Sequence, residues 1–220
     1  MPTVFYIGDS TVARNNIHSY PQTGMSQGLS LYLKESVTVA SHAKNGRSTK
    51  SFLDEGRFDP VAEAMEAGDF LLIQFGHNDE KDDPARHTDP DTTFSANLRF
   101  FAETALKKGA YPVLITPIAR RLFDSEGNFR PGSHGAYPEA VRRTAGELGI
   151  PLIDLTAETE TYLARLGDEP SKPLFMFPKD NTHLKPEGAV VMAGFLAEGL
   201  KKEGAPYAGL LAHSDEGAHV

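Results

Sequence analysis

Short, nearly all-apolar runs recur along the chain, and each gives way at its carboxyl end to small or polar residues. Val4 to Ile7, Val37 to Ala40, Phe70 to Phe75, Tyr111 to Thr116 and Ile150 to Asp154 have the length and β-prone character of buried strands. Helical spacing fills the intervals between them. Met25, Leu29 and Leu33 repeat at that period within the segment from Gly24 to Lys34. Asp59-Pro60 reads as a cap followed by a Pro in the first helical position, opening a helix through Ala67. Phe94, Leu98, Phe101 and Ala105 form the buried stripe of a helix of about four turns ending at Lys108, where Gly109 supplies the stop. Three more helices are read from Tyr137 to Leu148, from Ala157 to Leu166 and from Pro186 to Lys202, the first two ended by Gly149 and Gly167. Strands flanked by helices, and apolar on both faces, predict a three-layer α/β/α fold with a five-stranded parallel sheet.

Length and composition narrow this picture without changing it. The 220 residues read as one domain, 1–220, with no internal repeat or linker, and 203–220 as a weakly periodic surface tail. A formal charge of −8 with no clustered run of Lys and Arg argues against a nucleic-acid partner. Cysteine is absent, which excludes disulfides, thiolate metal sites and a Cys nucleophile. No run approaches the ~18 apolar residues that a membrane span needs. Met1-Pro2-Thr3 leads straight into a strand with no basic-then-apolar leader, so the expected location is the cytoplasm. Nothing in the composition speaks to oligomeric state.

The chemistry gathers where the strands end. In an open α/β sheet, ligands sit outside the carboxyl ends of the strands. Ser10 in Gly8-Asp9-Ser10 occupies that place after the first strand, although Ser there also suits the cap of a following helix. Asn45-Gly46-Arg47-Ser48 follows the second strand, Gly76-His77-Asn78-Asp79 the third, and Asp180-Asn181-Thr182-His183 precedes the last helix. Together these residue types suit acyl transfer through a serine. An imidazole must take the hydroxyl proton, a carboxylate must orient the imidazole, and donors must meet the tetrahedral oxyanion. Asp180 lies three residues before His183, close enough for one turn to join them. Gly46 offers a backbone N–H that comes close for want of a side chain, and Asn78 an amide. The order Ser, Asp, His is that of the α/β-hydrolases, but Gly8-Asp9-Ser10-Thr11-Val12 lacks the second glycine of their nucleophile elbow.

In these blocks the chain resembles the SGNH (GDSL) hydrolases, named for the Ser, Gly, Asn and His found here in order. More narrowly, it is similar to the rhamnogalacturonan acetylesterases of carbohydrate esterase family 12. The strings Gly8-Asp9-Ser10-Thr11-Val12-Ala13, Gly46-Arg47-Ser48, Glu55-Gly56-Arg57-Phe58, Phe75-Gly76-His77-Asn78-Asp79 and Asp180-Asn181-Thr182-His183-Leu184 carry that similarity, and it reaches from residue 4 to about residue 200. The resemblance implies a flavodoxin-like sheet, Ser10 as nucleophile, His183 as base and Asp180 as its orienting carboxylate. It also implies an oxyanion hole from the N–H groups of Ser10 and Gly46 and the Asn78 side chain. The implied activity is hydrolysis of acetyl esters on pectic oligosaccharide, without cofactor or metal. Members of this family often carry Trp a few residues after the first block's loop. This chain has none, reading Thr23-Gly24-Met25-Ser26-Gln27-Gly28 there. The competing activities are a short-chain acyl esterase or thioesterase, an acetylxylan esterase, and a carbohydrate-binding protein without turnover.

Several residues have a second reading. Asp9 serves either to shape its loop or as a phosphatase-type nucleophile, for which the D-x-D arrangement is missing. Asn78-Asp79 also suits a plain turn. Asp180 and His183, with His42, His77, His87 and Asp89, are the possible metal ligands, but none shows a recognised spacing. Arg47 and His77 stand as candidate substrate contacts. Arg47, Lys50 and Arg57 suit either a galacturonate carboxylate or ordinary ion pairs. His18, His134, His213 and His219 are read as surface residues.

Overall fold

The structure, a computed structural model, describes residues 1–212. Five parallel strands form one sheet in the order β2-β1-β3-β4-β5. They are β1 (Thr3–Gly8), β2 (Thr38–Ser41), β3 (Phe70–Gln74), β4 (Tyr111–Ile115) and β5 (Leu152–Ile153). Strand β1 pairs in parallel with β2 and β3, and Gly8 lies opposite Gln74.

Alternation along each strand sends successive side chains to two separate cores. Val4, Tyr6, Phe70, Leu72 and Val113 point to one side, where α1 (Met25–Leu29), α6 (Leu155–Leu166) and α8 (Pro186–Lys202) cover them. Phe5, Ile7, Leu71, Ile73 and Leu114 point to the other, under α2 (Thr49–Asp54), α3 (Asp59–Ala64), α4 (Ser95–Lys107) and α5 (Tyr137–Leu148). Burial of each large apolar side chain contributes roughly 1.5–3 kcal/mol. The two cores therefore fix the sheet between its helical layers, and the strand ends with it. Tyr6 has no exposed surface, and its hydroxyl donates to Gln74 Oε1 at 2.5 Å, which satisfies the one polar atom it carries into the core.

The structure departs from the sequence reading in several places, among them the helix opened at Asp59, which ends at Ala64 and not at Ala67. The helix expected from Gly24 to Lys34 ends at Leu29. There the chain turns to reach the C-terminal segment, with Lys34 N–H donating to the Leu210 carbonyl at 3.0 Å and Leu33 bridging Leu211. Helix α2 lies where no helix was expected. Its start is closed by Ser48 and Ser51, each hydroxyl accepting from the other's backbone N–H at 3.1 and 2.9 Å. A short helix, α7 (Asp168–Ser171), stands within the stretch expected to be irregular. The tail expected over 203–220 is packed as far as it is described. Tyr207 and Leu210 are buried against the first core, because their apolar faces close the sheet end beside Phe70. The remainder of that tail, 213–220 with His213 and His219, lies outside the described residues.

Candidate active site

Strand β1 delivers Ser10 to the carboxyl end of the sheet on a turn that Asp9 builds. Asp9 Oδ1 accepts from the Thr11 N–H at 2.9 Å and the Thr11 hydroxyl at 2.8 Å, while the Asp9 carbonyl accepts from Val12 and Ala13. Asp9 is fully buried, and burial raises its pKa against these hydrogen bonds. It shapes the loop. No helix begins directly after Ser10, where the chain turns, so the capping role read for it is not what the structure holds.

Instead, the Ser10 hydroxyl faces His183 Nε2 at 2.9 Å. On the other side of the ring, His183 Nδ1 lies 3.1 Å from Asp180 Oδ2. A carboxylate at Nδ1 places the hydrogen there and leaves Nε2 as the acceptor for the Ser10 O–H. The spacing of three residues closes the turn as expected: Asp180 Oδ1 accepts from the backbone N–H groups of Thr182 at 2.9 Å and His183 at 2.7 Å. Burial raises the Asp180 pKa, but these two N–H donors and the imidazole outweigh it. The net shift is downward, and the carboxylate stays ionised at neutral pH.

Gly46 and Asn78 come from the loops after β2 and β3. Gly46 has φ of +79°, a conformation L side chains rarely adopt. A Cβ there would meet nothing within 4 Å. Its requirement for glycine within the protein is thus conformational, and the space beside it is open. The Asn78 amide nitrogen donates to the Arg47 carbonyl at 3.1 Å, and its oxygen accepts from Arg86 at 3.2 Å. Among the described residues, one amide hydrogen remains uncommitted. Among the described residues, neither the Ser10 nor the Gly46 backbone N–H donates to a protein acceptor. Asp79 ties these loops together: its Oδ1 accepts from the Thr49 N–H at 2.9 Å, the Thr49 hydroxyl at 2.5 Å and the Thr88 hydroxyl at 3.0 Å.

The candidate sugar contacts fare differently. His77 is 3% exposed, and neither ring nitrogen reaches solvent or a partner among the described residues. Its ring packs edge-on against His134 at 4.4 Å, so it is part of the scaffold and not a substrate contact. Burial pushes its pKa well down, which keeps it neutral. Arg47 pairs with Glu55 at 3.1 Å, Arg57 with the same carboxylate at 2.5 Å, and Lys50 with Asp54 at 3.0 Å. Each of the three cations thus has a carboxylate partner within the protein and stays partly exposed. Among the described residues, no three His, Cys, Asp or Glu side chains are arranged to hold a metal ion. No helix there is long and apolar enough to cross a membrane.

Sequence reasoning missed the residues that hold the last loop. Arg121, 3% exposed, donates to Ser171 Oγ at 2.9 Å and Asn181 Oδ1 at 3.0 Å, and its backbone N–H donates to the Asn181 carbonyl at 2.8 Å. Its guanidinium also pairs with Asp168 and lies over the rings of Phe123 and Phe177. Arg120 donates to the Thr182 hydroxyl at 2.7 Å and pairs with Glu80, whose other oxygen meets His134 Nδ1 at 2.9 Å. His134, read as a surface residue, is 2% exposed. Burial raises the Glu80 pKa, yet the His134 hydrogen bond and the Arg120 cation leave it lowered overall. The available signal was position, since Arg120-Arg121 follow the end of β4 as the other blocks follow β1, β2 and β3.

A family model for GDSL-like lipase/acylhydrolases matches residues 6–191, a span containing every residue of this site. The chain belongs to that family. Among GDSL-like relatives, it is 42% identical to the rhamnogalacturonan acetylesterase RhgT of Bacillus subtilis, over 99% of this chain and 97% of that protein. It is 29% identical to a rhamnogalacturonan acetylesterase of Emericella nidulans, over 87% of this chain and 81% of the other. The solved structure of the Bacillus subtilis protein YxiM superposes with a TM-score of 0.83 at 26% identity, covering 93% of this chain and 57% of that one. The acetyl xylan esterase AlAXEase shares the fold with a TM-score of 0.64 at 17% identity, over 89% of this chain and 98% of that one.

Proposed function

We propose that this protein is a serine acetylesterase that removes O-acetyl groups from rhamnogalacturonan oligosaccharide. The observation that carries the reading is the continuous relay from Ser10 through His183 to Asp180, at 2.9 and 3.1 Å. Ser10 Oγ attacks the acetyl carbonyl while His183 Nε2 accepts its proton, and the ionised Asp180 stabilises the imidazolium that forms. The uncommitted N–H groups of Ser10, Gly46 and Asn78 are the donors for the developing oxyanion. Collapse of the tetrahedral adduct expels the sugar alkoxide, which takes the proton from His183 and leaves acetyl-Ser10. Water then gives its proton to His183 and attacks the acyl carbonyl. The second adduct releases acetate and returns the proton to Ser10.

The choice of sugar rests on the relatives named for rhamnogalacturonan, which align along nearly the whole chain. Acetate release should be measured from acetylated rhamnogalacturonan and acetylated xylan oligomers side by side, with Ser10→Ala as control. The expected outcome is preference for the pectic substrate and loss of turnover in the variant. Full activity in Ser10→Ala would refute the mechanism, and equal or faster release from xylan would refute the sugar.

A further inference from the structure

We propose that Arg120 is a positioning residue that sets the spacing between the loop carrying Asn78 and the loop carrying Asp180 and His183. The inference rests on the roles given to those residues above. Arg120 stands beyond the end of β4, and its guanidinium reaches both loops at once. Toward one, it pairs with Glu80 and lies 3.4 Å from the His77 carbonyl, on either side of Asn78 in sequence. Toward the other, it donates to the Thr182 hydroxyl at 2.7 Å, and the Thr182 N–H in turn donates to Asp180 Oδ1 at 2.9 Å.

The far end of this strut is anchored as well. Glu80 meets His134 Nδ1 at 2.9 Å, and His134 Nε2 lies 2.8 Å from the Ile118 carbonyl, two residues before Arg120 itself. The network therefore closes on its own starting segment. A planar guanidinium holds its N–H groups in a fixed fork, so the contacts it makes transmit a distance, which a flexible ammonium does not. Arg120 and Glu80 side chains are each only 16% exposed, so the pair is weakly screened and one geometry is favoured.

Arg121 has a different task. It ties Asn181 to Ser171 and Asp168, which fastens the loop to the body of the protein but not to Asn78. Only Arg120 among these groups touches both sides. The tetrahedral adduct needs His183 and the oxyanion donors in register together, whereas binding a small ester does not. Loss of the strut should therefore lower kcat and leave KM alone.

The test uses the full chain with a small chromogenic acetate ester, comparing Arg120→Met, Arg120→Lys and Thr182→Val. Arg99→Met, at an exposed ion pair, serves as the control expected to match the parent. Both Arg120 variants should lose ~10–100-fold in kcat with KM nearly unchanged, since misplacement by about 1 Å can cost that much. Free guanidinium should restore part of the Arg120→Met rate, while sodium chloride at the same ionic strength should not. Thr182→Val cuts one contact at the loop end and should lose rate too, and combining it with Arg120→Met should lose no more than Arg120→Met alone. Should the Arg120 variants not fold, Thr182→Val carries the test by its own kcat. Near-parental kcat in every folded variant overturns the proposal. So does a rate loss that guanidinium cannot restore and that multiplies in the double variant. Turnover by Ser10→Ala would instead refute the underlying assignment, which separates the two failures.

Discussion

Replacing Asp79 by Asn should change how stability depends on pH. Asp79 is fully buried, and burial is the main cause that lifts its pKa from 3.8 to about 7, against the pull of the Thr49 and Thr88 hydrogen bonds. Among the described residues its Oδ2 has no partner. The folded value lies above the unfolded one, so the native state holds the proton more tightly. The contribution of Asp79 is fully present below pH 3.8, declines as pH rises through that window, and is lost above about 7. A gap of about three units corresponds to roughly 4 kcal/mol at ~1.4 kcal/mol per unit. Asn keeps the Oδ1 acceptor and stays neutral, but leaves an amide N–H unpartnered at a cost of ~1–3 kcal/mol at every pH. His77 and His42, held neutral by burial, give the opposite slope in both proteins. The informative quantity is therefore the difference between variant and parent. Urea unfolding followed by circular dichroism at pH 5, 6, 7 and 8 should show that difference move ~2–3 kcal/mol in favour of Asp79→Asn as pH rises. A difference that stays constant over this range would refute the reasoning.

Two further predictions follow from the site and its frame. Asn78→Ala removes one proposed oxyanion donor and should lower kcat by ~10²–10³ while the protein stays folded, measured with a chromogenic acetate ester; a loss under about threefold would remove Asn78 from the oxyanion hole. Gly188→Ala, near the start of α8, places a Cβ inside the contact distance of the Leu174 carbonyl oxygen. It should cost ~1–3 kcal/mol in urea unfolding, and an unchanged midpoint would mean that α8 and the 172–174 turn are not held at this distance.

What the sequence made legible, and what it did not, follows from how far each signal extends along the chain. The strands were readable because burial on both faces leaves continuous apolar runs, as in Phe70–Gln74. The blocks that hold Ser10, Gly46, Asn78, Asp180 and His183 were readable because they sit at the ends of elements, and the structure brings Ser10, His183 and Asp180 into contact. Helix α2 was not, since Thr49–Asp54 carries only Phe52 and Leu53 as apolar residues and six positions are too few to display a period. Its start depends on Ser48, Ser51 and the distant Asp79. The Arg120 contacts were not legible either. They join residues 40 and 62 positions away, and no local spacing records such a pairing. His77 was misread for the same reason: its place beside Asn78 suggested the crevice, but burial against His134 turns it inward.

These hidden contacts explain how loops can carry chemistry that requires fixed distances. Each block that bears a proposed reacting group is short and has little apolar surface of its own, so packing alone does not fix it. The structure holds these loops with ionisable groups turned inward: Asp9 under Ser10, Asp79 between the second and third blocks, and Glu80 with Arg120 between the third and last. Burying Asp9 and Asp79 opposes ionisation, as their raised pKa values record. Each holds its loop through backbone and hydroxyl donors, which an apolar side chain of the same size would leave unsatisfied. Replacing Asp79 by Asn should accordingly shift stability in the variant's favour as pH rises, yet loosen Thr49 and Thr88 beside the proposed oxyanion donors. Stability and placement pull in opposite directions at this residue, and the site keeps the carboxyl that places its loops.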